Sequence, residues 1–410
     1  MALNYIWIGL FFIGAIVAII RLLLLGDVES LPAMMDSTFE MSKMGFEMTL
    51  GLTGTLTLWM GILKIGEDSG LVKRLSQFLS PFLSKLFPDV PKNHPALGSI
   101  FMNVSANMLG LDNAATPCGL KAMQELQEIN PVKDTASNPM IMFLVLNTSG
   151  LTIIPVSIMA YRAKAGAADP TDVFIPLLLT TMCSTLVGLI IVSIYQRINL
   201  LKRSFLLLFL IVSTLIGSLF WVLNGMDNTN IQHFCRLLTS CLILGTILLF
   251  IGSGCYKKLN VYDSFILGAK GGFNVAVSLI PYCVAILVAI GVLKASGALE
   301  LVQNGISYVV EGCGLNSDFV GAIPVALMKP LNGSGARGMM LEAMATYGPD
   351  SFVGHLAGVL QGCTDTTFYI LAIYFGSVGI KKYRYAVTCG LLADIAGMIA
   401  AVFISYYFWG

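Results

Sequence analysis

The sequence predicts an all-α polytopic membrane protein made of two inverted repeats. Each repeat is expected to hold about three full spans, an interfacial amphipathic helix and a re-entrant hairpin built from a broken helix. Three observations lead there. Of 410 residues, 56% are hydrophobic and only 11% charged, whereas soluble domains carry roughly 25% charged residues, so a soluble enzyme and a disordered chain are both excluded. The apolar runs are continuous rather than alternating, which excludes a transmembrane β-barrel. The two halves also share short motifs in a common order.

A spanning helix needs about 20 apolar residues. The runs 4–25, 47–65, 140–161, 173–195, 204–223, 236–255, 273–293, 352–376 and 385–409 qualify. The first has no basic stretch before it and no A-x-A site, so it is read as a retained helix rather than a signal peptide. Stretches 96–122 and 318–344 start apolar, break in a Gly/Asn/Pro-rich middle and resume as a helix, with Pro117 suited to the first turn of the resumed arm. Before them lie amphipathic stretches at 69–87 and 296–313; the first leaves Lys73, Arg74 and Lys85 off its apolar face, as an interfacial helix would.

Internal repetition organises these pieces. Ser69-Gly70 matches Ser296-Gly297, Leu120-Lys121-Ala122-Met123 matches Leu341-Glu342-Ala343-Met344, and Leu146-Asn147-Thr148-Ser149 takes the place of Leu360-Gln361-Gly362-Cys363. Residues 1–200 form one repeat, 201–260 a two-helix linker and 261–410 the second repeat. Cytoplasmic loops are enriched in Lys and Arg. That rule places Arg197, Lys202 and Arg203 inside, with Lys257, Lys258 and Lys270, with Lys381, Lys382 and Arg384, and with the loop at 64–95. The acidic loop 26–46 falls outside. These placements agree only if 96–122 and 318–344 each enter and leave on one side, which inverts the second repeat relative to the first.

A charge at the bilayer centre costs about 2.5–3.5 kcal/mol, so polar residues in these segments mark candidate sites. The first hairpin offers Asn103, Asn107, Asp112, Asn113 and Thr116; Asn103 and Asn107, four apart, share a helix face. The second offers Lys329, Asn332, Ser334 and Arg337. The spans that follow carry Asn147, Thr148 and Ser149 in one half and Gln361, Thr364, Asp365 and Thr367 in the other. Asp394 lies in the last span. Ser, Thr and Asn also serve as glue between membrane helices, and Lys329 and Arg337 have Asp365 or Glu342 as candidate partners. The carboxylates are the stronger functional candidates, with Asp112, Asp365 and Asp394 placed to carry a coupling H+ or Na+.

No HExxH, GxSxG or Walker motif occurs, so neither an enzyme nor a primary pump is expected. His94, His233 and His355 fall in separate segments as loop or helix-end residues, the nine cysteines form no CxxC, and no metal or cofactor is expected. The net charge of +1 gives nothing to bind nucleic acid.

The runs Met108-Leu109-Gly110-Leu111-Asp112-Asn113-Ala114-Ala115-Thr116-Pro117 and Leu146-Asn147-Thr148-Ser149 resemble spore maturation protein A. Pro330-Leu331-Asn332-Gly333-Ser334-Gly335-Ala336-Arg337 and Gln361-Gly362-Cys363-Thr364-Asp365-Thr366-Thr367 resemble spore maturation protein B. The chain looks like a fusion of these two members of the nucleoside-recognition, or Gate, family. That resemblance implies a multi-pass protein of the bacterial inner membrane and, loosely, transport. The expected function is ion-coupled secondary transport of a small polar solute such as a nucleoside. The alternatives are a non-transporting membrane scaffold or regulatory protein, and an ion channel. The expected partners are the lipid bilayer, the solute with H+ or Na+, and a second copy of the chain, since such proteins often oligomerise.

Overall fold

A computed structural model describes residues 2–71, 73–74, 77, 84–92, 94–108, 112–153, 155–198, 214, 217–218, 228–312, 314 and 316–410. Most of the expected span at 204–223 and about half of the first amphipathic stretch lie outside these residues. The described chain is helical, with no strand beyond one isolated bridge between Thr135 and Lys382. Four helical stretches, or five if a bent pair is one span, have the length and apolarity to cross a bilayer, and the chain is a multi-pass membrane protein.

The first half runs α1 (Ala2–Leu25), α2 (Ser30–Asp68), a 3₁₀ turn (Ser84–Leu86), α3 (Pro95–Met108), α4 (Asp112–Glu128), α5 (Asn138–Thr148), α6 (Val156–Lys164) and α7 (Phe174–Gln196). A linker helix α8 (Asn228–Tyr256) follows. The second half then runs α9 (Val261–Ala295), α10 (Ala298–Gly312), a 3₁₀ turn (Asp318–Ala322), α11 (Ile323–Met328), α12 (Gly333–Tyr347), α13 (Phe352–Gly362), α14 (Thr367–Ser377) and α15 (Ala386–Trp409). From α2 and α9 onward the described elements of the two halves follow the same order, except that α10 has no described counterpart in the first half. The Ser-Gly match is structural as well. Both long helices end with a serine hydroxyl donating to its own helix (Ser69 to Gly66 O, 2.9 Å; Ser296 to Leu293 O, 2.7 Å) and a left-handed glycine, Gly70 at φ 78° and Gly297 at φ 80°.

Three expectations change. The acidic stretch 26–46 is no loop: from Ser30 it forms the first half of α2, a helix of 39 residues packed along the 35-residue α9. At 1.5 Å per residue these helices extend about 58 and 52 Å, well beyond the roughly 30 Å hydrocarbon core. This length lets Asp36, Glu40 and Lys43 sit on a helix without lying at the bilayer centre. The runs 140–161 and 352–376 are each two short helices, α5–α6 and α13–α14, with non-helical backbone at 149–153 and 155 in the first and at 363–366 in the second; Phe352–Ser377 still counts among the four candidate spans. The second arm of the first hairpin starts at Asp112, so Pro117 lies inside α4 rather than in its first turn. The amphipathic run 296–313 is α10, which leaves α9 at 74°.

The core is arranged by exchange. One apolar cluster joins the first hairpin (Ile100, Phe101, Met123, Leu126) to α5 (Phe143, Leu144) and to α14 of the other half (Leu371, Tyr374, Phe375). Its counterpart joins the second hairpin (Val325, Met340, Met344) to α13 (Leu356, Val359) and to α6 of the first half (Ile158, Tyr161). Each hairpin is therefore wedged between one arm of its own broken helix and one arm of the other's. Asn138, at the start of α5, donates to Asp89 (3.1 Å) ahead of α3, and in the second half a Cβ on Gly321 would meet Val353 of α13 at 3.0 Å.

Candidate functional site

The two helix breaks touch. Thr148 and Ser149 end α5, and their hydroxyls bond back to Val145 O (3.1 Å) and Leu146 O (3.4 Å), so only their carbonyls face outward. Asp365 N–H, in the second break, donates to Thr148 O at 2.7 Å, and the Thr185 hydroxyl donates to Ser149 O at 3.5 Å. Gly150 adopts φ 54°, and a Cβ there would meet Asp365 N at 3.2 Å; glycine permits both the turn and the approach. Each break thus satisfies backbone groups of the other, as irregular backbone within a membrane protein requires.

On one side of this crossing sits an amide cluster. Asn103, fully buried on α3, donates to Ala115 O (2.8 Å) and to the Tyr374 hydroxyl (3.2 Å). Asn107 donates to Asn147 Oδ1 (2.8 Å), and the Tyr374 hydroxyl reaches the same oxygen at 3.4 Å. Asn103 and Asn107, four residues apart on α3, are joined through Tyr374 and Asn147. Tyr374 is the residue that sequence reasoning missed. Gly119 makes room for its hydroxyl, since a Cβ there would collide with it. Side chains of Asp112 and Asn113 lie outside the described residues; Thr116 is exposed.

On the other side lie the charged residues. Asp394 is fully buried on α15, with Thr367 donating to its Oδ2 at 2.7 Å and its Oδ1 left without a hydrogen bond. Lys329, 6% exposed, has Asp365, Arg337 and Asp394 as its charged neighbours. Gln361 donates to Gly333 O (3.3 Å) while its Oε1 is unpaired. Thr364 is buried beside them, its Oγ1 3.9 Å from Cys363 Sγ. The expected pairing of Lys329 or Arg337 with Asp365 or Glu342 is not seen: Glu342 binds Lys294 (2.7 Å), Arg337 lies over the Tyr161 ring (5.3 Å), and Asp365 is exposed, its Oδ1 accepting from Thr366 N–H (2.7 Å). Asn332 caps α12, accepting from Gly335 N–H at 2.6 Å, and is committed to that role. Ser334 is half-buried one residue into the same helix.

Two clusters link the halves beyond the centre. Loop 129–137 meets loop 378–385: Lys381 and Lys382 N–H groups donate to Asp134 O (2.8 and 2.9 Å), Ala136 N–H to Lys382 O (3.0 Å), and Lys382 Nζ pairs with Asp134 (3.1 Å). Gln196 donates to Asn138 O (2.8 Å), bringing the end of α7 to this cluster. Loop 165–173 meets loop 348–351 around the fully buried Arg162, which donates to Pro349 O (2.6 Å) and pairs with Asp172 (3.0 Å) and Asp350 (3.1 Å). His355, read from sequence as an isolated helix-end residue, belongs here: it joins Asp172 and Asp350 in a group whose potential metal-ligating atoms lie within 4.8 Å of one another, although Arg162 already stands between the carboxylates.

The comparisons fit this architecture. The chain is 44% identical over 169 residues to spore maturation protein B of Bacillus subtilis (strain 168), an alignment covering 41% of this chain and 92% of the relative. It is 40% identical over 192 residues to spore maturation protein A of the same organism, covering 47% of this chain and 94% of the relative. No solved structure matches the chain. The model of the Gate family, described as nucleoside recognition, matches residues 49–165 and 276–381, one segment in each half and together more than half of the sequence, so the chain belongs to the Gate family.

Proposed function

We propose that the protein is an ion-coupled secondary transporter of a small polar solute in the bacterial inner membrane, with its two halves inverted about the crossing of the breaks. One observation carries the reading: two helices interrupted at mid-course touch through Asp365 N–H and Thr148 O among buried polar groups, three of which (Asn103 Oδ1, Gln361 Oε1, Asp394 Oδ1) have no hydrogen-bond partner. Orphaned buried acceptors are costly, and a solute bearing N–H or O–H groups, as a nucleoside does, would satisfy them. The exchange of partners supports the inversion. Helices α5–α6 lead from the Lys382 cluster through their break to the Arg162 cluster, and α13–α14 lead from the Arg162 cluster through theirs back to the Lys382 cluster. Swapping the halves turns one cluster into the other. Both hairpins then enter from opposite membrane faces and return to their own side, with spore maturation protein A-like and B-like repeats at 1–200 and 261–410. Asp365 and Asp394 are the coupling candidates within the described residues.

Purified protein in liposomes, offered labelled nucleosides and other polar solutes under H+ and Na+ gradients, tests this. Uptake that needs a gradient and falls in Asp394→Asn supports it; Asp365→Asn with unchanged coupling removes Asp365 from the scheme. A membrane scaffold without a solute is the second reading, favoured by the fact that Asn103, Asn107 and Asn147 donate within the chain. Absence of both uptake and thermal stabilisation across the panel would establish it over transport.

A further inference from the structure

We infer that the cavity beside the Lys382 cluster is a binding site for a free apolar α-amino acid, held between Asp89 of the first half and Arg384 of the second. The cavity encloses about 520 Å³, within the roughly 300–1,000 Å³ that small-molecule sites occupy. Its wall carries a carboxylate and a guanidinium with one neutral side chain between them. The Asn138 amide donates through Nδ2 to Asp89 Oδ2 (3.1 Å), and its Oδ1 accepts from Arg384 Nη1 (3.0 Å) and from the Tyr385 hydroxyl (2.8 Å). These bonds fix which way the amide faces, oxygen toward the guanidinium and nitrogen toward the carboxylate. Arg384 is fixed as well. Its Nη1 also donates to Ala136 O (3.0 Å), its guanidinium lies over the Tyr385 ring (5.0 Å), and its backbone holds φ 50°, a left-handed conformation that penalises a Cβ.

The charges select the ligand. The bonds to Asn138 and Ala136 engage Oδ2 of Asp89 and Nη1 of Arg384. Both residues are exposed and line the cavity, so the second carboxylate oxygen and the Nη2–Nε edge are left to an occupant. An α-ammonium supplies donors to the carboxylate, and an α-carboxylate accepts from the guanidinium in the planar, two-bond geometry that arginine favours. A ligand with a single charge would gain one attraction and meet one repulsion. Ile129, Pro131, Val132 and Pro139 line the same cavity and would take an aliphatic side chain out of water. Asn130, also on the wall, is committed within its own loop, donating to Thr135 O (3.0 Å) and accepting from Val132 N–H (3.3 Å). The site shares no residue with the crossing of the breaks and does not rest on the transport reading. Its two charged residues belong to different halves, so an occupant ties the halves together.

Isothermal titration of the full-length protein in detergent with L-leucine tests it. The controls are isocaproate, which is leucine without its ammonium, isoamylamine, which is leucine without its carboxylate, and glycine, which lacks the apolar chain. Leucine should bind with a dissociation constant of about 1 mM or tighter and raise the unfolding temperature. Each control should bind at least about tenfold more weakly, the effect of one lost charged hydrogen bond or of the unburied side chain. Asp89→Asn should weaken leucine about tenfold without weakening isocaproate, and Arg384→Gln should weaken leucine equally without weakening isoamylamine. Should Arg384→Gln not fold, Asp89→Asn decides, because its amide oxygen can still accept from Asn138. No saturable binding of leucine, controls that bind as tightly as leucine, or an unchanged leucine affinity in Asp89→Asn would overturn the site.

Discussion

The two clusters that join the halves do the same topological work by different means. At the Lys382 cluster the link combines paired backbone N–H and C=O groups of 134–136 and 381–382 with an exposed Lys382–Asp134 ion pair and with neutral or exposed side-chain bonds, from Arg384 to Ala136 O and from Tyr385 to Asn138 Oδ1. At the Arg162 cluster the link is side-chain charge, and its central guanidinium is fully buried. Backbone pairing is indifferent to side-chain identity and weakly sensitive to solution conditions. A buried ionic network is the reverse: it is costly to break at any member, and it can be tuned by pH. The two ends of one architecture can thus be held with different responsiveness.

Substitutions sharpen this contrast. Arg162→Met should have the largest effect, about 3 kcal/mol of stability lost, read as a lowered unfolding temperature in detergent; it strands Asp172, Asp350 and Pro349 O together. Gly150→Ala should cost about 1–2 kcal/mol, from a left-handed backbone that penalises a Cβ and from contact with Asp365 N. Tyr374→Phe should cost about 1 kcal/mol, since Asn103 and Asn147 lose one shared partner. Lys382→Ala should change stability by less than about 1 kcal/mol, because the pair is exposed and the backbone link survives. An effect of Lys382→Ala as large as that of Arg162→Met would erase the distinction between the clusters.

A pH titration separates them further. The Asp134 carboxyl is held below the usual carboxylate range by the Thr135 hydroxyl and then by Lys382. A depressed value in the folded state contributes stability above the unfolded value, near pH 4, and loses it as pH falls through the folded one. The Lys382 cluster should therefore weaken only in strong acid, and Asp134→Asn should abolish that small effect in exchange measurements at 129–137.

Much of this was legible from residue types alone. Three of the spans, at 4–25, 173–195 and 385–409, match α1, α7 and α15 closely because length and continuous apolarity suffice there. The repeat was visible in Ser-Gly pairs that prove to be helix stops. The breaks at 149–153, 155 and 363–366 were hidden because Thr, Ser, Gly and Cys are nearly neutral in hydropathy; Gly150 with Pro155, and Gly362 ahead of Asp365, were the available signals. Asn103, Asn107 and Asn147 meet in one cluster, while Thr116 and Asp365 are exposed, and the division of labour needed coordinates. Asn332 is a cap, Thr148 acts through its carbonyl, and Tyr374 completes the amide cluster from the other half. The Arg162 cluster was not legible at all, since its members are scattered across 162–355 and each is unremarkable alone.

The central claim is that the halves are inverted, so the two clusters occupy opposite faces of the membrane. Single cysteines placed at Lys133, Lys382, Ala168 and Asp350 in a background without native cysteines, probed in intact cells with a membrane-impermeant maleimide, address it directly. Labelling at 168 and 350 with none at 133 and 382 until the membrane is opened is the predicted pattern; labelling of 133 and 168 from the same side would contradict the inversion and the transport reading built on it.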